Sequence, residues 1–442
     1  PLASELEAAQ RSLPEVRDRS FLAELVKGPV HWQCRYDHLI TLFSRRKPPS
    51  DAPTSNLLRL ALHQMLGMES VPAYAAIHQA GELCRRRPGP GKVGFVNGML
   101  QGIRRDVLGD DPDGTADTAE RLERLRRHFG QEGGDPVAEL AAWQSHPRWL
   151  VRRWVDHFGL ETATDICAWN NRPVPLTFHV LAPADPTAAA AELAEAGCPV
   201  DQGPLQRTLT ARERVSRNLL DDIMGRFPFL IVQDAAVQAA TTWLAEGLTD
   251  PEAVKGAPVL DMCAAPGGKT AYLSSRIGEG TRILAMDSRR DRLALLRATV
   301  DRIGAARVDL LLADGKRPPF GRGVFGAVLL DGPCSGTGVL RHHPEGRWRL
   351  RKNTPAGKAR VLTELAGQAA ELLRPGGLLM YATCSVEPEE NEKVVDSLLA
   401  GRDDLETAPD GTGRWRRQWL PGAGPDGLRG DGFFAARLRM KG

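Results

Sequence analysis

Two cysteines stand directly after two predicted buried strands, and they are the residues best suited to chemistry. Cys334 lies in DGPCSGTG at 331–338 and Cys384 lies in ATCS at 382–385, each behind an apolar run. Parallel strands end at one edge of a sheet, where open α/β folds bind ligands and do their chemistry. Two thiols there, one of them close to Asp331, suit covalent attack on an electrophilic carbon followed by an elimination.

The loop after the preceding predicted strand has the composition of a ligand-binding turn. It reads DMCAAPGGKT at 261–270 and leads into a predicted helix, whose amino terminus favours a negative group. A phosphate-binding P-loop would need glycine where this chain has Cys263, and the dinucleotide pattern GxGxxG is absent. The loop therefore predicts a bound ligand that is neither a nucleoside triphosphate nor a dinucleotide.

Acidic residues follow three of the predicted strands: Asp287, Asp314 and Asp331. Asp287 lies 19 residues beyond Gly268, close to the ~20 at which an acid takes the ribose hydroxyls of a nucleoside cofactor. No second phosphate site is evident in the sequence. A nucleoside with an amino-acid tail, S-adenosylmethionine, consequently fits these positions better than NAD or ATP.

Alternating strands and helices in the last part of the chain predict a doubly wound, Rossmann-like parallel sheet. The apolar run 432–438 predicts a closing edge strand. The strands are predicted at 259–262, 283–286, 308–312, 324–330 and 377–382, and the helices at 271–277, 289–303, 363–373 and 389–399.

The rest of the chain predicts two more domains. Apolar residues at helical spacing indicate an all-α bundle at 1–130, ending in a loop-rich linker over 108–136. A small α+β module at 140–250 precedes the α/β domain at 251–442. Within the module we expect helices at 149–158 and 186–196 and strands at 176–180 and 230–232.

Composition limits the compartment and the partners. The 442 residues carry a net charge of only +3, so an acidic partner must meet local basic surfaces such as RWRLRK at 347–352 and RWRR at 414–417. Seven scattered cysteines form neither a disulfide framework nor a metal-ligand spacing, and no metal is expected. No apolar run approaches the ~18 residues of a membrane span. We expect a cytoplasmic monomer that does not bind membranes.

Three segments, 261–269, 331–338 and 382–392, resemble in order the signature segments of RNA cytosine-C5 methyltransferases of the Sun/Fmu (RsmB) type. Two departures are that alanine is common in that family where this chain has Gly332, and that an opening helix is expected before Pro1. The resemblance extends outside the core to HPRWL at 146–150, NNRP at 170–173, VQDA at 232–235, TWL at 242–244, LPG at 420–422 and GFF at 432–434. The helical part, with VPAYAA at 71–76 and VGFVNG at 93–98, resembles the NusB-like RNA-binding domain of the same family.

The resemblance implies roles for the residues at the sheet edge. Cys384 would attack carbon 6 of cytosine, Cys334 would help to release the product, and Asp331 would hold or protonate N3. DNA cytosine methyltransferases use the Pro-Cys thiol instead as nucleophile, so the presence of both thiols points to RNA. The cofactor would contact Asp287 at the ribose, Asp314 at the adenine, Asp331, and the loop residues Cys263, Ala264, Ala265, Pro266, Gly267, Gly268 and Lys269.

The implied partner is structured rRNA of the small subunit, with no role for DNA. Its contacts are expected at Arg341, His342, Arg347, Arg349 and Arg351. A tRNA methyltransferase with the same chemistry remains an alternative. A non-catalytic NusB-like RNA-binding factor is disfavoured by the paired thiols, and a nucleotide hydrolase is disfavoured by Cys263 in the loop.

Overall fold

The computed structural model describes residues 2–44, 47–87, 89–109, 118–130, 134–248, 256–277 and 280–442. These residues form two compact units, Pro1–Asn171 and Arg172–Gly442. Most of the loop-rich part of the predicted linker, 110–117 and 131–133, lies outside the described residues. No helix in the described ranges is long and apolar enough to cross a membrane.

The first unit is helical, as predicted. Leu58, Leu62 and Met65 recur at helical spacing and are buried, which gives one helix an apolar face for the others to pack on. The helices are α1 Leu2–Arg11, α2 Val16–His31, α3 Gln33–Leu42, α4 Ala52–Gly67, α5 Ala73–Arg86, α6 Val93–Ile103, α7 Thr118–Arg126, α8 Pro136–Trp143 and α9 Arg148–Trp169, with a π-turn at Arg104–Leu108 and a 3₁₀ turn at Pro90–Lys92.

Helix α9 is interrupted where its sequence-based prediction ended. The prediction covered 149–158, and Gly159 follows with a φ of +83° that a side-chain-bearing residue rarely adopts. Beyond that break the chain resumes helical geometry to Trp169. The glycine thus kinks the element rather than ending it.

The second unit begins with a small antiparallel sheet in the order β2-β3-β1-β4. The sequence predicted β1, α10 and β4 and missed the other three elements. Strand β2 has a single buried residue, β3 alternates threonine with Leu209 and Ala211, and half of α11 is charged or amide-bearing. The elements are β1 Thr177–Val180, α10 Pro186–Glu195, β2 Val200–Gln202, β3 Thr208–Ala211, α11 Arg217–Arg226 and β4 Leu230–Val232.

An eight-stranded mixed sheet forms the rest of this unit, and its centre confirms the predicted parallel arrangement. Its helices are α12 Ala235–Glu246, α13 Gly268–Arg276, α14 Arg290–Ile303, α15 Gly346–Arg349, α16 Thr354–Glu371 and α17 Glu392–Ala400. Its strands are β5 Val259–Asp261, β6 Ile283–Asp287, β7 Val308–Leu312, β8 Phe325–Asp331, β9 Leu373–Thr383, β10 Leu405–Thr407, β11 Arg416–Trp419 and β12 Phe433–Met440.

The strand order is β10-β12-β9-β8-β5-β6-β7, with β11 also paired to β12. Strands β5 to β9 run parallel, whereas β12 is antiparallel to β9. The prediction of β12 as the closing edge strand was therefore wrong, because β10 and β11 both pair with its far side.

Alternate residues of the buried strands supply two apolar layers, one on each face of the sheet. In β8, Ala327 and Leu329 pack with residues of α12 and α13, while Val328 and Leu330 pack with α16 and α17. A strand buried on both faces explains the continuous apolar run in its sequence. This two-sided packing fixes the carboxyl ends of β5, β6, β8 and β9 at one edge.

Candidate active site

A pocket of about 410 Å³ opens at the carboxyl edge of the parallel strands. It brings together both predicted thiols, the three predicted acids and part of the glycine loop. Its lining includes Met262, Cys263, Ala265, Pro266, Asp287, Ser288, Arg292, Asp314, Gly315, Lys316, Asp331, Gly332, Pro333, Cys334, Val361, Leu365 and Cys384. The predicted residues Ala264, Gly267, Gly268 and Lys269 belong to the same loop but do not line this pocket.

The two thiols are neighbours, with 3.0 Å between the Sγ atoms of Cys334 and Cys384 and no disulfide. They meet because β8 and β9 pair in parallel with Asp331 opposite Ala382, so both cysteines leave the sheet at the same height. The hydrogen bond with Cys384, together with burial, raises the pKa of Cys334 well above its usual value. Cys334 therefore keeps its hydrogen and can share it with the sulfur of Cys384.

Backbone contacts hold the two cysteine-bearing loops together. The N–H of Gly338 donates to the carbonyl of Cys384 at 3.0 Å, and the N–H of Gly432 donates to the carbonyl of Gly338 at 2.8 Å. A Cβ on Gly338 would lie 2.2 Å from the backbone of Gly432, so glycine is required for this approach. The thiol geometry is thus set by main-chain packing as well as by strand register.

The contacts around Gly332 explain why this chain has glycine where alanine is common in the family that it resembles. A Cβ on this residue would lie 2.3 Å from a terminal methyl of Leu362. Leu362 of α16 is fully buried in the core under the loop. In this chain, the leucine fills the space that an alanine methyl would need.

Asp331 forms an ion pair with Lys269, whose Nζ lies 2.6 Å from Oδ2 of the carboxylate. Burial opposes the charge of the lysine, yet the attraction of Asp331 outweighs it and raises the pKa of Lys269. Lys269 is largely buried, which excludes a purely solvent-facing role at the start of α13. The pair places an ammonium donor and a carboxylate acceptor beside the thiols.

The turn between β5 and α13 needs its first glycine. Gly267 has a φ of +108°, and a Cβ there would lie 2.9 Å from Leu296 of α14. Asp261, at the end of β5, accepts a hydrogen bond of 2.6 Å from the hydroxyl of Thr270, and burial raises its pKa to about 7. Burial likewise raises the pKa of Cys263 to about 12, so this thiol stays neutral and packs as an apolar residue.

Asp287 and Asp314 also line the pocket. The buried Asp287 carboxylate accepts from the N–H of Arg289 at 3.0 Å and pairs with Arg292 at 3.4 Å. Asp314 is exposed and accepts from the N–H of Lys316 at 3.0 Å. One buried and one exposed carboxylate behind strand ends are suited to a nucleoside that lies along those ends.

Two predicted RNA contacts are buried. Arg341 pairs with Asp234 at 2.9 Å and with Asp431 at 3.3 Å, and only 4% of its side chain is exposed. Arg347 is fully buried. This corrects the expectation that these guanidinium groups form an exposed surface for RNA, because charged side chains fully buried in the protein interior do not reach a phosphate backbone.

The other predicted RNA contacts differ in exposure. Nε2 of His342 lies 2.5 Å from a carboxylate oxygen of Asp431, and 34% of the imidazole side chain stays exposed. Arg349 and Arg351 are exposed, as is Lys352 beside them. We define Arg349, Arg351 and Lys352 as the basic ridge.

Sequence reasoning missed three polar residues around the pocket: Arg292, Lys316 and Glu390. Arg292 donates to the carbonyl of Ala265 as well as pairing with the buried carboxylate described above. Arg292 and Lys316 lie in polar stretches that also suit solvated faces, and Glu390 lies in the acidic run PEENE at 388–392. Only the folded arrangement distinguishes them.

Known protein families match all three parts of the chain. The family described as 16S rRNA methyltransferase RsmB/F matches residues 250–439, the NusB family matches 2–105, and the RsmF/B-like ferredoxin-like domain matches 146–210. The ribosomal RNA small subunit methyltransferase B of Escherichia coli O127:H6 is 30% identical over 439 residues, which cover 96% of this chain and 91% of that protein. A probable ribosomal RNA small subunit methyltransferase B of Bacillus subtilis is 29% identical over 436 residues, with the same coverage.

Solved structures share the fold. The crystal structure of PH0851 superposes with a TM-score of 0.71 at 24% identity and covers 96% of this chain and 91% of its own. NSun6 from Pyrococcus horikoshii superposes with a TM-score of 0.55 at 19% identity, over 66% of this chain and 98% of its own.

The helical unit, the small sheet and the Rossmann-like sheet with its edge pocket define the class of methyltransferases. Within that class, the chain belongs to the family of the ribosomal RNA small subunit methyltransferases B.

Proposed function

We propose that this enzyme transfers a methyl group from S-adenosylmethionine to C5 of a cytosine in small-subunit rRNA. The observation that carries the proposal is the thiol pair Cys334 and Cys384, 3.0 Å apart beside the ion pair of Asp331 and Lys269. The curated relatives named above are small-subunit rRNA methyltransferases, which supports this substrate.

The first role of the thiols is to activate C5 of cytosine. C5 of cytosine is too weak a nucleophile to take a methyl group directly, so a thiolate must first add to C6 and turn C5 into an enamine-like carbon. Cys384 forms the bond to C6, and electrons move toward N3 of the ring. The hydrogen of Cys334 stabilises the Cys384 thiolate before it attacks.

Asp331 and Lys269 assist the addition at the opposite side of the ring. The resemblance assigns N3 to Asp331, but its ion pair with Lys269 favours a different division. The carboxylate accepts a hydrogen bond from the exocyclic amino group, while the ammonium supplies a donor for N3 as negative charge develops there. Their 2.6 Å contact keeps the two groups aligned before substrate binds.

Release reverses the addition. The proton on C5 leaves, its electron pair forms the C5–C6 double bond, and the pair of the C6–S bond returns to the sulfur of Cys384. We assign Cys334 a relay in this step: its sulfur takes the C5 proton while its own hydrogen passes to the departing sulfur of Cys384, which loses that proton to solvent before the next addition. The 3.0 Å contact between the sulfur atoms supports this assignment.

The pocket fits the cofactor in volume and in donor set. A volume of about 410 Å³ falls in the range of small-molecule sites, and the strand-end carboxylate of Asp287 can accept the ribose hydroxyls. We assign Asp314 to the adenine amino group and residues 263–268 to the methionine end. Lys269, the last predicted contact of this loop, pairs with Asp331 instead. When bound, S-adenosylmethionine supplies an electrophilic methyl group.

The remaining assignments complete the proposal. The bundle at 1–130 and the module at 140–250 bind RNA, and 251–442 carries the chemistry; the NusB match over 2–105 supports the first of these. A substrate in the ribosome is consistent with a cytoplasmic enzyme, and we propose that it acts as a monomer.

The test of this function is to map 5-methylcytosine by mass spectrometry. Unmodified small-subunit rRNA and unmodified tRNA are each incubated with enzyme and S-adenosylmethionine. We expect methylcytosine at a defined position in the rRNA and none in the tRNA. Methylation of the tRNA alone would instead support a tRNA enzyme with the same chemistry.

Replacing Asp287 with alanine is expected to weaken S-adenosylmethionine binding by ~1.5–3 kcal/mol, the contribution of a charge-assisted hydrogen bond. Isothermal calorimetry without magnesium measures the change. Asp291→Ala is the matched control, because this exposed acid pairs with Arg289 outside the pocket. Unchanged affinity in the Asp287 variant, or tight magnesium-dependent ATP binding, would contradict the cofactor assignment.

Replacing all three residues of the basic ridge with alanine is expected to weaken RNA binding and lower the salt slope by about 2, since single-stranded contacts contribute ~0.7 each. Binding of rRNA fragments across a salt series gives the slope. Arg226, Arg282 and Arg322, each exposed and ion-paired with an acid, form a control of equal charge loss. A slope equal to that of the wild type would exclude the ridge as an RNA contact.

A further inference from the structure

A buried carboxyl group lies under the loop that carries Cys334. The N–H of Ser335 donates to Oε1 of Glu390 at 2.9 Å, and the hydroxyl of Ser335 donates to Oε2 at 2.8 Å. Glu390 is fully buried. Since Ser335 directly follows Cys334 in the chain, this two-point contact fixes the backbone next to the thiol.

Three hydroxyl groups extend the contact to the loop of Cys384. The Ser385 hydroxyl lies 3.2 Å from that of Ser335 and 3.2 Å from that of Thr337. The N–H of Val386 donates to Thr337 at 3.1 Å. We define Ser335, Thr337 and Ser385 as the hydroxyl cluster; it joins the loop after β8 to the loop after β9, with Glu390 at its base.

The backbone of Glu390 is itself held. The hydroxyl of Tyr381, a fully buried residue of β9, donates to the carbonyl of Glu390. The N–H of Glu390 donates to the carbonyl of Glu387 at 3.0 Å. The carboxyl group therefore lies on a rigid turn that is anchored to β9, the strand that leads to Cys384. Through Ser335 it can fix the position of Cys334 relative to Cys384.

Joining two loops through a buried carboxyl group is costly in free energy. Burial disfavours its charged form and raises its pKa to about 7, against the hydrogen bonds from Ser385 and Ser335. Neutral side chains could supply loop packing at lower cost. Strongly perturbed acids beside a reactive centre are more common at functional sites than elsewhere.

We propose that Glu390 is a positioning residue for product release, holding Ser335 so that the Cys334 thiol stays against the sulfur of Cys384. The inference rests on the proposed function and adds a residue to it. Glu390 does not touch the base. It acts through the Cys334 loop, in the step where hydrogen passes between the two sulfur atoms and the C5–C6 double bond forms.

The consequence is a separation of steps. Cys384 is held by β9 and by the contact of its carbonyl with Gly338. The carboxyl group meets the Cys384 loop at the Ser385 hydroxyl, which Thr337 also contacts at 3.2 Å. Addition to C6 and methyl transfer should therefore survive the loss of Glu390. Release should not, because the relay needs Cys334 in place.

The test compares Glu390→Ala, Glu390→Gln and Glu389→Ala on in vitro transcribed small-subunit rRNA with S-adenosylmethionine. We expect Glu390→Ala to slow release by roughly 10- to 100-fold, as for lost charge-assisted hydrogen bonds, and to trap protein–RNA adduct on denaturing gels. Methyl transfer in a single turnover stays near the wild-type rate. Glutamine can still accept from the Ser335 N–H, so Glu390→Gln restores most of the release rate.

Glu389 is the matched control, because it is the adjacent acid and its carboxylate lies 3.7 Å from the Nζ of Lys393. Should Glu390→Ala fail to fold, Ser335→Ala removes the hydroxyl contact alone and is expected to trap a smaller amount of adduct. Release at the wild-type rate in the Glu390→Ala variant, or in Ser335→Ala if it must stand in, would overturn the proposal. Equally slow release in Glu390→Gln and Glu390→Ala would also overturn it.

Cys334→Ala separates this proposal from the function on which it rests. If Cys334→Ala traps adduct and the Glu390 variants do not, the positioning role is wrong and the thiol chemistry stands. If no variant, including Cys334→Ala, forms an adduct with the rRNA, the proposed function itself is wrong.

Discussion

Replacing Cys384 with alanine is expected to abolish methyl transfer, with a loss of about four orders of magnitude or more, as for removal of a catalytic nucleophile. The reason is that C5 of cytosine gains its nucleophilicity only after a thiolate has added to C6. We do not expect Cys334 to substitute, because burial still raises its pKa when the Cys384 thiol is absent. Single-turnover methyl transfer to rRNA measures the loss, and denaturing electrophoresis should show no adduct.

Cys198→Ala is the control for this variant, since Cys198 is a buried apolar residue of the small antiparallel sheet module. We expect it to keep both activity and adduct formation. Substantial methyl transfer by the Cys384 variant would show that another group attacks C6, with Cys334 the first candidate by distance.

Replacing Cys334 with alanine is expected to have the opposite signature, an accumulated covalent protein–RNA adduct. Cys384 can still add to C6, and the methyl group can still be transferred. The departing sulfur, however, loses the hydrogen donor that lies 3.0 Å away. The adduct should survive denaturing electrophoresis and carry the transferred methyl group, which a radiolabelled methyl donor would reveal.

The double variant Cys334→Ala/Cys384→Ala is the control, and we expect it to form no adduct. If Cys334→Ala released product at the wild-type rate, the relay assigned to this thiol would be excluded. If the Cys384 variant accumulated the adduct instead, the roles of the two cysteines would be exchanged.

Most of the parallel part of the sheet could be predicted from sequence because strands such as β8 are buried on both faces. Such strands appear as continuous apolar runs, as at 324–330, where the prediction and β8 differ by one residue at each end. Two strands of mixed exposure gave no such signal. Strand β10 has a single buried residue, Leu405, and β11 is rich in arginine and partly exposed, so neither was predicted.

Helix starts were harder to predict than helix identities. Helix α16 begins at Thr354, nine residues before the predicted start at 363. The prediction started late because the first turns of the helix are polar and contain Pro355. Proline fits the first turn of a helix, where its missing N–H costs nothing, yet in a sequence it signals a break.

The sheet topology predicted where the site residues lie, but not which side chains they contact. Thiols and acids behind parallel strands must meet at one edge of the sheet. The pocket that contains Cys334, Cys384 and Asp287 confirms this arrangement. The burial of Arg341 and Arg347 depends on contacts across many residues of sequence, such as that between Arg341 and Asp234. A local reading of an arginine-rich stretch cannot distinguish these from exposed cations.

The central claim is that Cys384 bonds to C6 of the target cytosine. The most direct measurement uses small-subunit rRNA transcribed with 5-fluorocytidine, because fluorine at C5 leaves no proton to remove and stops the elimination. After reaction with S-adenosylmethionine and digestion, mass spectrometry should find a methylated fluorocytidine on the peptide containing Cys384. The same mass found on the peptide containing Cys334, or no cross-linked peptide at all, would contradict the account.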